Sequence, residues 1–495
     1  MNDQPTSPWP ALWALVIGFF MVLVDNSIVS VATPAIGRDL GADVNAAIWV
    51  TSAYLLAYAV PLLVTGRLGD RFGPKWVYLI GLSIFTLSSL WCGLTGSLTG
   101  LIVARVVQGL GASMMTPQTM SVITRTFPAA KRGSAMALWG GTAGMATLVG
   151  PILGGVLVDA AGWEWIFFIN VPVGVVGLVL AWRLVPVLDT HSHSFDWIGV
   201  ALSASAMFLL TFGIQEGETY DWGHIAGIVS VPALIAFGVV ILAVFVEWQN
   251  RIRREPLVPL NLFLDRNFCL SNAGIACTSL AVTATFLPFT FYAQGARGWS
   301  PTQAALLGAP MAVVMLLLSR RVGRLVDGVH PRAITVVGFG TGTLSLLWLA
   351  RLMQDSEPPV WLLCLPMAAF GLANACMWAP LAATATRNLP HASAGAGSGV
   401  YNTVRQVGAV LGSAAVAAVI EARLTAHHLA PNSFGQTGGL MAPADHAPFA
   451  AAMSESLLLP AATLALGLLI VLFYERPSHP GSAQAVSAGQ IDPAP

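Results

Sequence analysis

The sequence predicts an all-α polytopic membrane protein with fourteen transmembrane helices. Only 9% of its 495 residues are charged and 56% are apolar, whereas a soluble globular protein carries roughly 25% charged residues. The apolar residues form long uncharged runs, each near the ~20 residues that a helix needs to cross a bilayer. The basic residues gather in alternate connections between those runs. This pattern excludes an ordinary soluble enzyme, and the zero net charge argues against a nucleic-acid-binding protein.

Apolar runs bounded by polar or Gly/Pro-rich segments define the predicted helices. The first run lacks a basic leader and a cleavage signature, so it is predicted to be an uncleaved span. In chain order the helices lie near 11–33, 46–66, 75–94, 99–122, 134–158, 165–185, 196–215, 224–248, 269–293, 301–322, 332–351, 359–383, 396–420 and 453–474.

The basic residues orient these helices. With a cytoplasmic N-terminus, 17 of the 23 Lys and Arg residues fall in cytoplasmic connections and 4 in outer ones, and Arg105 and Arg405 lie inside spans. This bias follows the positive-inside rule. Because an even number of spans returns the chain to its starting side, both termini are predicted to be cytoplasmic.

An internal repeat predicts two halves. Gly66-Arg67-Leu68-Gly69-Asp70 follows the second span, Gly323-Arg324-Leu325-Val326-Asp327 follows the tenth, and each is followed at the same offset by proline and a basic residue. Chance is the alternative, but the shared offset favours duplication. The shift of eight helices predicts six-helix halves and two inserted helices. The predicted divisions are the halves 11–185 and 267–474, the insertion 186–266, and a disordered cytoplasmic tail 475–495.

Three motifs resemble those of the major facilitator superfamily. Span four contains Arg105-Val106-Val107-Gln108-Gly109, similar to the helix-four motif of that superfamily. Span five resembles its antiporter motif, which is associated with exporters, at Gly150, Pro151, Gly154 and Gly155. A charged, glycine-rich loop is similar to the signature loop between helices two and three, with Gly66, Arg67, Gly69, Asp70, Arg71, Gly73 and Lys75.

Further motifs narrow the resemblance to the fourteen-helix drug:proton antiporters, and it covers residues 11–474. It implies an alternating-access exporter of the major facilitator fold, arranged 6+2+6, in the cytoplasmic membrane of a bacterium. It also implies the proton gradient as the energy source without a bound cofactor, and a latch at 66–75 that favours the outward-facing state. The further motifs are Asp25–Val29, Trp49–Tyr54, Trp163–Pro172, Phe195–Gly199 and Pro259–Phe263.

Asp25 is the one carboxylate well inside a predicted span. It lies about fourteen residues from the cytoplasmic start of span one, roughly 21 Å along a helix, and Arg105 on span four falls at a similar depth. Charged groups there cost several kcal/mol unless they are paired or face water, so both are expected to face the centre. Gln108 shares a helix face with Arg105 and can orient it by hydrogen bonding.

We expect these three residues to couple proton movement to transport. Burial favours the neutral form of an aspartate and a nearby arginine favours its charged form, so one proton can decide the charge of Asp25. In this hypothesis, charged Asp25 holds Arg105 and attracts a cationic or polarised substrate, and protonation releases the substrate. The alternative is a static buried pair that only fixes helix packing.

Glycine-rich faces suggest where the halves meet. Such faces let backbones approach closely, and Pro151 is expected to bend span five. Paired faces suit two halves that rock against each other; the alternative is tight packing without motion. The glycines are Gly140, Gly141, Gly144, Gly150, Gly154 and Gly155 in span five, with Gly397, Gly408 and Gly412 in span thirteen.

Aromatic, Met and amide side chains near mid-depth are the candidate substrate contacts. A pocket of this kind suits bulky amphipathic compounds. Arg405 in span thirteen either snorkels to the cytoplasmic interface or lines the cavity, and the sequence leaves both possibilities open. The candidate contacts are Asn26, Met114, Phe286, Phe289, Tyr292, Asn374 and Trp378.

The function predicted from the sequence is proton-coupled efflux of amphipathic, cationic or aromatic compounds. Its partners are a small-molecule substrate, protons and the lipid bilayer; the sequence does not define an oligomeric state. The alternative is a dedicated exporter of one endogenous metabolite, lipid or antibiotic. A membrane enzyme would need converging catalytic groups, which the sequence lacks, and the repeat disfavours a channel. The five Cys and nine His show no metal-ligand spacing, so no metal site is predicted.

Overall fold

The computed structural model describes residues 7–41, 44–190, 196–215, 217, 220, 222–226, 229–252, 256–299, 301–355, 358–389, 393–429 and 443–475. Within these ranges, eleven helices are long and apolar enough to cross a membrane, or twelve if one bent pair counts as a single span. The prediction of an all-α polytopic membrane protein is therefore confirmed, while the count of fourteen stays a prediction. Phe195 and nearly all of the tail predicted to be disordered lie outside the described residues.

The N-terminal group of helices contains one sharp bend. Helices α2 (Val44–Ala59) and α3 (Leu62–Phe72) meet at 46° beside Pro61, which lacks the N–H needed to continue the hydrogen bonding of α2. Ser97 caps α5 (Leu98–Thr126) by accepting a hydrogen bond from the Gly100 amide. The group comprises α1 (Trp9–Asp39), α2 (Val44–Ala59), α3 (Leu62–Phe72), α4 (Pro74–Leu94), α5 (Leu98–Thr126), α6 (Ala129–Ala161), α7 (Trp165–Phe168) and α8 (Asn170–Leu184).

Two helices and a strand pair follow: α9 (Trp197–Gln215), the antiparallel strands β1 (His224–Ala226) and β2 (Val229–Ser230), and α10 (Val231–Arg251). The C-terminal group opens with a 3-10 turn at Leu260–Leu264, and its first helix, α11 (Arg266–Phe291), continues into a π-helical turn at Tyr292–Ala296. Its helices are α11 (Arg266–Phe291), α12 (Pro301–Leu307), α13 (Ala309–Gly328), α14 (Pro331–Met353), α15 (Val360–Arg387), α16 (Ala394–Ala426), α17 (His446–Ser456) and α18 (Leu458–Val471).

Two local predictions are wrong. The signature segment is not a loop, because Gly66 to Phe72 continue α3 and only Gly73, at φ 88°, makes the turn. Glycine tolerates this φ and Pro74 suits the first turn of α4. The eighth predicted span begins at residue 224, but His224–Ala226 and Val229–Ser230 are the paired strands, and Ser230 caps α10 by accepting a hydrogen bond from the Ala233 amide.

The two groups of helices pack internally and against each other. Helix α1 packs on α6 and α8, and α5 on α2 and α4; in the C-terminal group α11 packs on α16 and α18, and α15 on α13 and α14. The contact between the groups, here called the seam, is made mainly by α3 with α16 and by α6 with α13 and α15. Helices α9 and α10 pair with each other, and α9 contacts both α2 and α16. The inserted pair therefore lies beside the seam.

Candidate functional site

A fully buried ion pair lies between α1 and α5. Arg105 Nη1 is 2.6 Å from Asp25 Oδ2, and neither side chain has any exposed surface. Arg105 Nε also donates to the Val50 carbonyl on α2 at 3.1 Å. Because removing one partner leaves a buried charge without compensation, such a pair resists the loss of either charge by about 3–5 kcal/mol.

Gln108 closes a ring of hydrogen bonds around this pair. Its Oε1 accepts from Arg105 Nη1 at 2.7 Å, and its Nε2 donates to Asp25 Oδ1 at 3.0 Å. The three residues that the sequence places at similar depth are therefore in mutual contact. Both carboxylate oxygens of Asp25 are engaged in this conformation.

Asn170 is a fourth member that the sequence reasoning missed. From α8, its Nδ2 donates to Asp25 Oδ1 at 2.9 Å and to Ser89 Oγ at 3.0 Å. Ser89 in turn donates to the Phe167 carbonyl at 3.0 Å. The signal was available, since Asn170 is the single amide side chain in the apolar run 165–184. Asp25 thus accepts from three donors on two helices other than its own.

Aromatic rings cover the guanidinium of Arg105. Its Cζ lies 3.9 Å from the centre of the Tyr54 ring and 5.8 Å from that of Phe167. Tyr54 is stacked on Tyr58 one turn further along α2, with ring centroids 6.2 Å apart. Within the described chain, Arg105 Nη2 and Tyr54 Oη have no hydrogen-bond partner. The cluster therefore retains two unused donors, each costly while buried.

A second charged contact joins the two helix groups across the seam. Asp70 Oδ1 accepts from the Gly395 amide at 2.8 Å and Oδ2 accepts from the Ala396 amide at 2.9 Å. These amides begin α16, where the helix dipole is positive. Arg67 Nη1 lies 3.8 Å from Asp70 Oδ2. The term latch is used from here on for this contact of Asp70 with the start of α16. The end of the bundle that carries this contact is called the latch end.

Arg132 makes a further tie at the latch end. Its Nη1 donates across the seam to the Thr386 and Arg387 carbonyls at 3.3 and 3.4 Å, and its Nε donates to the Phe127 carbonyl at 3.1 Å. In the sequence, Arg132 is one of the 17 basic residues of the predicted cytoplasmic connections, and its position there does not predict this contact. The end of α15 and the start of α6 are therefore fastened beside the latch.

The other residues of the signature segment have different surroundings. A Cβ added at Gly69 would lie 1.9 Å from Gln118 Oε1 of α5. Lys75 Nζ donates to the Trp182 carbonyl of α8 at 2.7 Å, and the Arg71 guanidinium lies over the Phe72 ring. Lys75 therefore ties α4 to α8 within the N-terminal group.

Gly66→Ala is expected to weaken the latch by about 1–3 kcal/mol, in the usual range for overpacking. A Cβ at position 66 would lie 2.5 Å from the Gly395 carbonyl oxygen and 3.0 Å from Gly399 Cα, so backbone must move. The measurement is the rate at which a cysteine at buried Ser398 reacts with a membrane-impermeant maleimide. We expect faster labelling than in the parent chain.

Gly155→Ala is the matched control for this change. In the described part of the chain, no atom lies within 4 Å of a Cβ added at Gly155. Labelling at position 398 should therefore keep its parental rate in this variant. Equal rates in the two glycine variants would contradict the close-approach argument for Gly66.

The antiporter-like motif lies beside the ion pair. A Cβ at Gly150 of α6 would lie 1.9 Å from Ser27 Oγ, two residues after Asp25 on α1. Ser27 donates in turn to the Val24 carbonyl at 3.1 Å. Pro151 lies inside α6, which runs unbroken from Ala129 to Ala161. Gly150 therefore sets how closely α6 approaches the Asp25 segment.

The expected pairing of glycine faces across the seam is wrong for span thirteen. Gly408 and Gly412 of α16 pack against Ala276 and Leu280 of α11, in their own helix group. The close approach across the seam is made instead by Gly395 and Gly399, opposite Gly66.

Two other glycines do face the seam on the α6 side. A Cβ at Gly140 would lie 3.2 Å from Trp378 Cβ, and one at Gly141 would lie 3.2 Å from Ser319 Oγ. The surroundings of Gly144 fall outside the described part. The spacing of glycines alone did not reveal which neighbour each one meets.

Two of the seven candidate substrate contacts face the seam. Trp378 Nε1 donates to Asn374 Oδ1 at 3.0 Å on α15, and Trp378 lies opposite Gly140 of α6. The Asn374 amide also donates to the Phe370 carbonyl at 2.8 Å. These two side chains are held by each other in this conformation.

The remaining candidates are less well placed. Met114 lies against Gly81 of α4, Phe289 is 2% exposed, and the Tyr292 hydroxyl donates to the Asp355 carbonyl at 2.8 Å. These three contribute to packing or loop attachment. Asn26 and Phe286 are half-buried. A uniformly apolar helix has no polar face to show its rotation, so the sequence could not sort these residues.

Arg405 points inward, which decides between the two possibilities that the sequence left open. Its Nη2 donates to the Tyr58 hydroxyl across the seam at 2.9 Å, and its Nε lies 3.4 Å from Asn402 Oδ1. The side chain therefore does not snorkel to the membrane interface.

Two groups of membrane-crossing helices that meet at a latched seam, with an enclosed ion pair in one group, define a secondary transporter. The family model described as Major Facilitator Superfamily matches residues 15–413. The chain belongs to this superfamily, whose members are transporters and not enzymes. Over the described residues, no group of three or more His, Cys, Asp or Glu could hold a metal ion.

Similar proteins indicate which family within the superfamily this chain resembles. The chain is 50% identical to an uncharacterised MFS-type transporter of Mycobacterium tuberculosis over 479 residues, covering 94% of this chain and 81% of the relative. It is 33% identical to the tetracenomycin C resistance and export protein of Streptomyces glaucescens, covering 84% and 77%. It is 31% identical to the multidrug export protein EmrB of Haemophilus influenzae, covering 84% and 81%. These relatives support the predicted drug:proton antiporter family.

A solved structure shows the same fold. The proton:xylose symporter XylE superposes with a TM-score of 0.65 at 14% identity, covering 95% of this chain and 96% of the symporter. At this identity the likeness concerns the fold alone.

Proposed function

We propose that this protein exports amphipathic aromatic compounds from a bacterial cell in exchange for protons. The observation that carries this proposal is the enclosed Asp25, whose two oxygens accept from Arg105, Gln108 and Asn170. A titratable group that is sealed in one conformation can be opened to one side in another, which is what proton coupling requires. The export functions named for the relatives support the direction of transport.

In the proposed cycle, Asp25 is charged and paired with Arg105 while the latch is closed. Protonation removes the negative charge, so Arg105 loses its counter-ion inside a buried cluster. The unused Arg105 Nη2 and the Tyr54 hydroxyl offer other hydrogen-bonding arrangements on α2. A shift of α1, α2 and α5 then changes how the two helix groups pack at the seam. This change opens or closes the latch at Asp70.

The proposed architecture is that predicted from the sequence. Six helices on each side of an inserted pair give the 6+2+6 arrangement, with both termini in the cytoplasm and the protein in the cytoplasmic membrane. The latch end is then the cytoplasmic end, so the closed latch belongs to an outward-facing or occluded state. The proton gradient supplies the energy, and no bound cofactor takes part.

A dedicated exporter of one compound is the second candidate. It is favoured by the 33% identity to a protein named for the export of tetracenomycin C. A broad exporter should protect a sensitive bacterial strain against many unrelated aromatic compounds. A dedicated one should protect against few or none, so a growth panel separates the two.

The test of proton-coupled export uses inside-out membrane vesicles with an acidified lumen. Fluorescent aromatic compounds of positive, zero and negative charge are added in turn, while a pH-sensitive dye follows the lumen. We expect at least one compound to be accumulated with release of protons, and nigericin to abolish both. Accumulation that survives collapse of the pH gradient would overturn the proposal.

A further inference from the structure

Arg405 places a positive charge deep in the seam. It follows the start of α16 at Ala394 by eleven residues, or about 16 Å along the helix. Its Nη2 reaches across the seam to the Tyr58 hydroxyl at 2.9 Å. Tyr58 in turn donates to Thr116 Oγ1 of α5 at 3.1 Å. Arg405 as a whole is half-buried, so part of its surface stays accessible.

This cation has no counter-ion of its own within the described ranges. Its two hydrogen-bond acceptors are the Tyr58 hydroxyl and the Asn402 side-chain oxygen, both neutral. No carboxylate in the described part of the chain lies within 4 Å, whereas Arg105 is paired with Asp25. An unpaired charge at this depth costs several kcal/mol unless something compensates it.

Asp25 does not attract a cation in this conformation. It has no exposed surface, and three donors occupy its two oxygens. The Asp25–Arg105 pair is neutral as a whole. Among the described residues, the uncompensated charge at mid-depth on the seam is therefore positive, which is the opposite of what a cationic substrate would need.

We infer that Arg405 is an anion-binding residue of the substrate path, and that the exported compounds carry an acidic group beside their aromatic rings. The inference rests on the proposed function and names its substrate class. A carboxylate, a sulfonate or an ionised phenol fits the planar fork of a guanidinium, which can donate two parallel hydrogen bonds to such a group. Tyr58 holds the fork in place while the site is empty.

The surroundings of Arg405 also link it to the ion pair. Tyr58 is stacked on Tyr54, and Tyr54 lies 3.9 Å from the Arg105 guanidinium. An anion on Arg405 competes with the Tyr58 hydroxyl for the same donors. Binding of an anion to Arg405 therefore changes the hydrogen bonding of Tyr58. Because Tyr58 is stacked on Tyr54, this change can reach Arg105 and its partner Asp25.

The test is equilibrium binding to the purified full-length protein, without any proton gradient. The probes are 5-(dimethylamino)naphthalene-1-sulfonate, which is permanently anionic, and the matching neutral sulfonamide, with ethidium as a cation. Arg405→Gln removes the charge, and Arg351→Gln is the matched control at an exposed helix end. Fluorescence titration gives the dissociation constant of each probe.

We expect wild type to bind the sulfonate more tightly than the sulfonamide or ethidium. Arg405→Gln should weaken sulfonate binding roughly 10- to 100-fold, as for loss of charged hydrogen bonds, and leave the sulfonamide nearly unchanged. Arg351→Gln should match wild type. Tyr58→Phe, which removes the competing hydroxyl, should tighten the sulfonate and provides a second test if Arg405→Gln does not fold.

Several results would overturn the inference. They are absent sulfonate binding in wild type, a preference for ethidium or the sulfonamide, equal losses for both naphthalene probes in Arg405→Gln, or weaker sulfonate binding in Tyr58→Phe. Proton-coupled transport of other compounds would leave the proposed function intact in each case. Conversely, Arg405-dependent sulfonate binding with transport independent of the pH gradient would reject the proposed function alone.

Discussion

Arg105→Gln is expected to lower the free energy of unfolding by about 3–5 kcal/mol, because it leaves Asp25 buried without a counter-charge. Asp25 has no exposed surface, so water cannot replace the lost guanidinium. The amides of Gln108 and Asn170 remain as donors, but neither carries a charge. Thermal unfolding of the purified protein in detergent should show a clearly lower melting temperature.

A second substitution separates charge imbalance from lost packing. The double variant Asp25→Asn/Arg105→Gln removes both charges and loses the same side-chain volume at position 105 as Arg105→Gln, so it should recover much of the lost stability. Arg351→Gln, at an exposed position, should change stability by no more than about 0.5 kcal/mol. A double variant less stable than Arg105→Gln alone would argue against an energetically coupled pair.

Asp70→Asn is expected to open the latch end by shifting its conformational equilibrium. The Asp70 carboxylate accepts from two amides at the start of α16, whereas an asparagine offers one oxygen and turns an NH₂ group towards the other amide. Losing charge-assisted hydrogen bonds should cost about 2–3 kcal/mol, or roughly 30- to 150-fold in the ratio of closed to open protein. Substrate selectivity should be unchanged.

Spin-label distances can measure this shift. Labels at the exposed positions Phe72 and Arg332 would report on the two helix groups at the latch end. The matched control is Asp265→Asn, because Asp265 caps α11 by accepting from the Phe268 amide at 2.7 Å within one group. Distances that stay the same in Asp70→Asn, or that lengthen equally in Asp265→Asn, would refute the latch.

The buried ion pair could be anticipated because few charges occur in the spans. Counting residues along α1 and α5 placed Asp25 and Arg105 at one depth, and a charge in lipid must find a partner. Asn170 escaped notice because an amide carries no such requirement and its helix was delimited by apolar content alone. The sequence predicts the depth of Arg405 in the membrane but not the direction in which its side chain points, because that direction depends on the rotation of α16.

The sequence does not predict how each helix is rotated about its own axis or where a helix is interrupted. Met114 and Tyr292 are both apolar-run residues, yet one meets Gly81 and the other a loop carbonyl. Gly66 to Phe72 read as a loop because of their charges, although Arg67 and Asp70 are spaced as neighbours on a helix. The β-strand pair before α10 was not predicted, because hydropathy does not distinguish a strand from a helix over a few residues.

The central claim is that protonation of Asp25 couples the proton gradient to transport. The most direct measurement compares wild type and Asp25→Asn in proteoliposomes with two assays: exchange of labelled for unlabelled substrate at equal pH, and uphill accumulation driven by a pH gradient. The substrate is the compound that wild type accumulates best. The account predicts that Asp25→Asn keeps the exchange and loses the uphill accumulation. Uphill accumulation at the wild-type level, or loss of both activities in equal proportion, would contradict it.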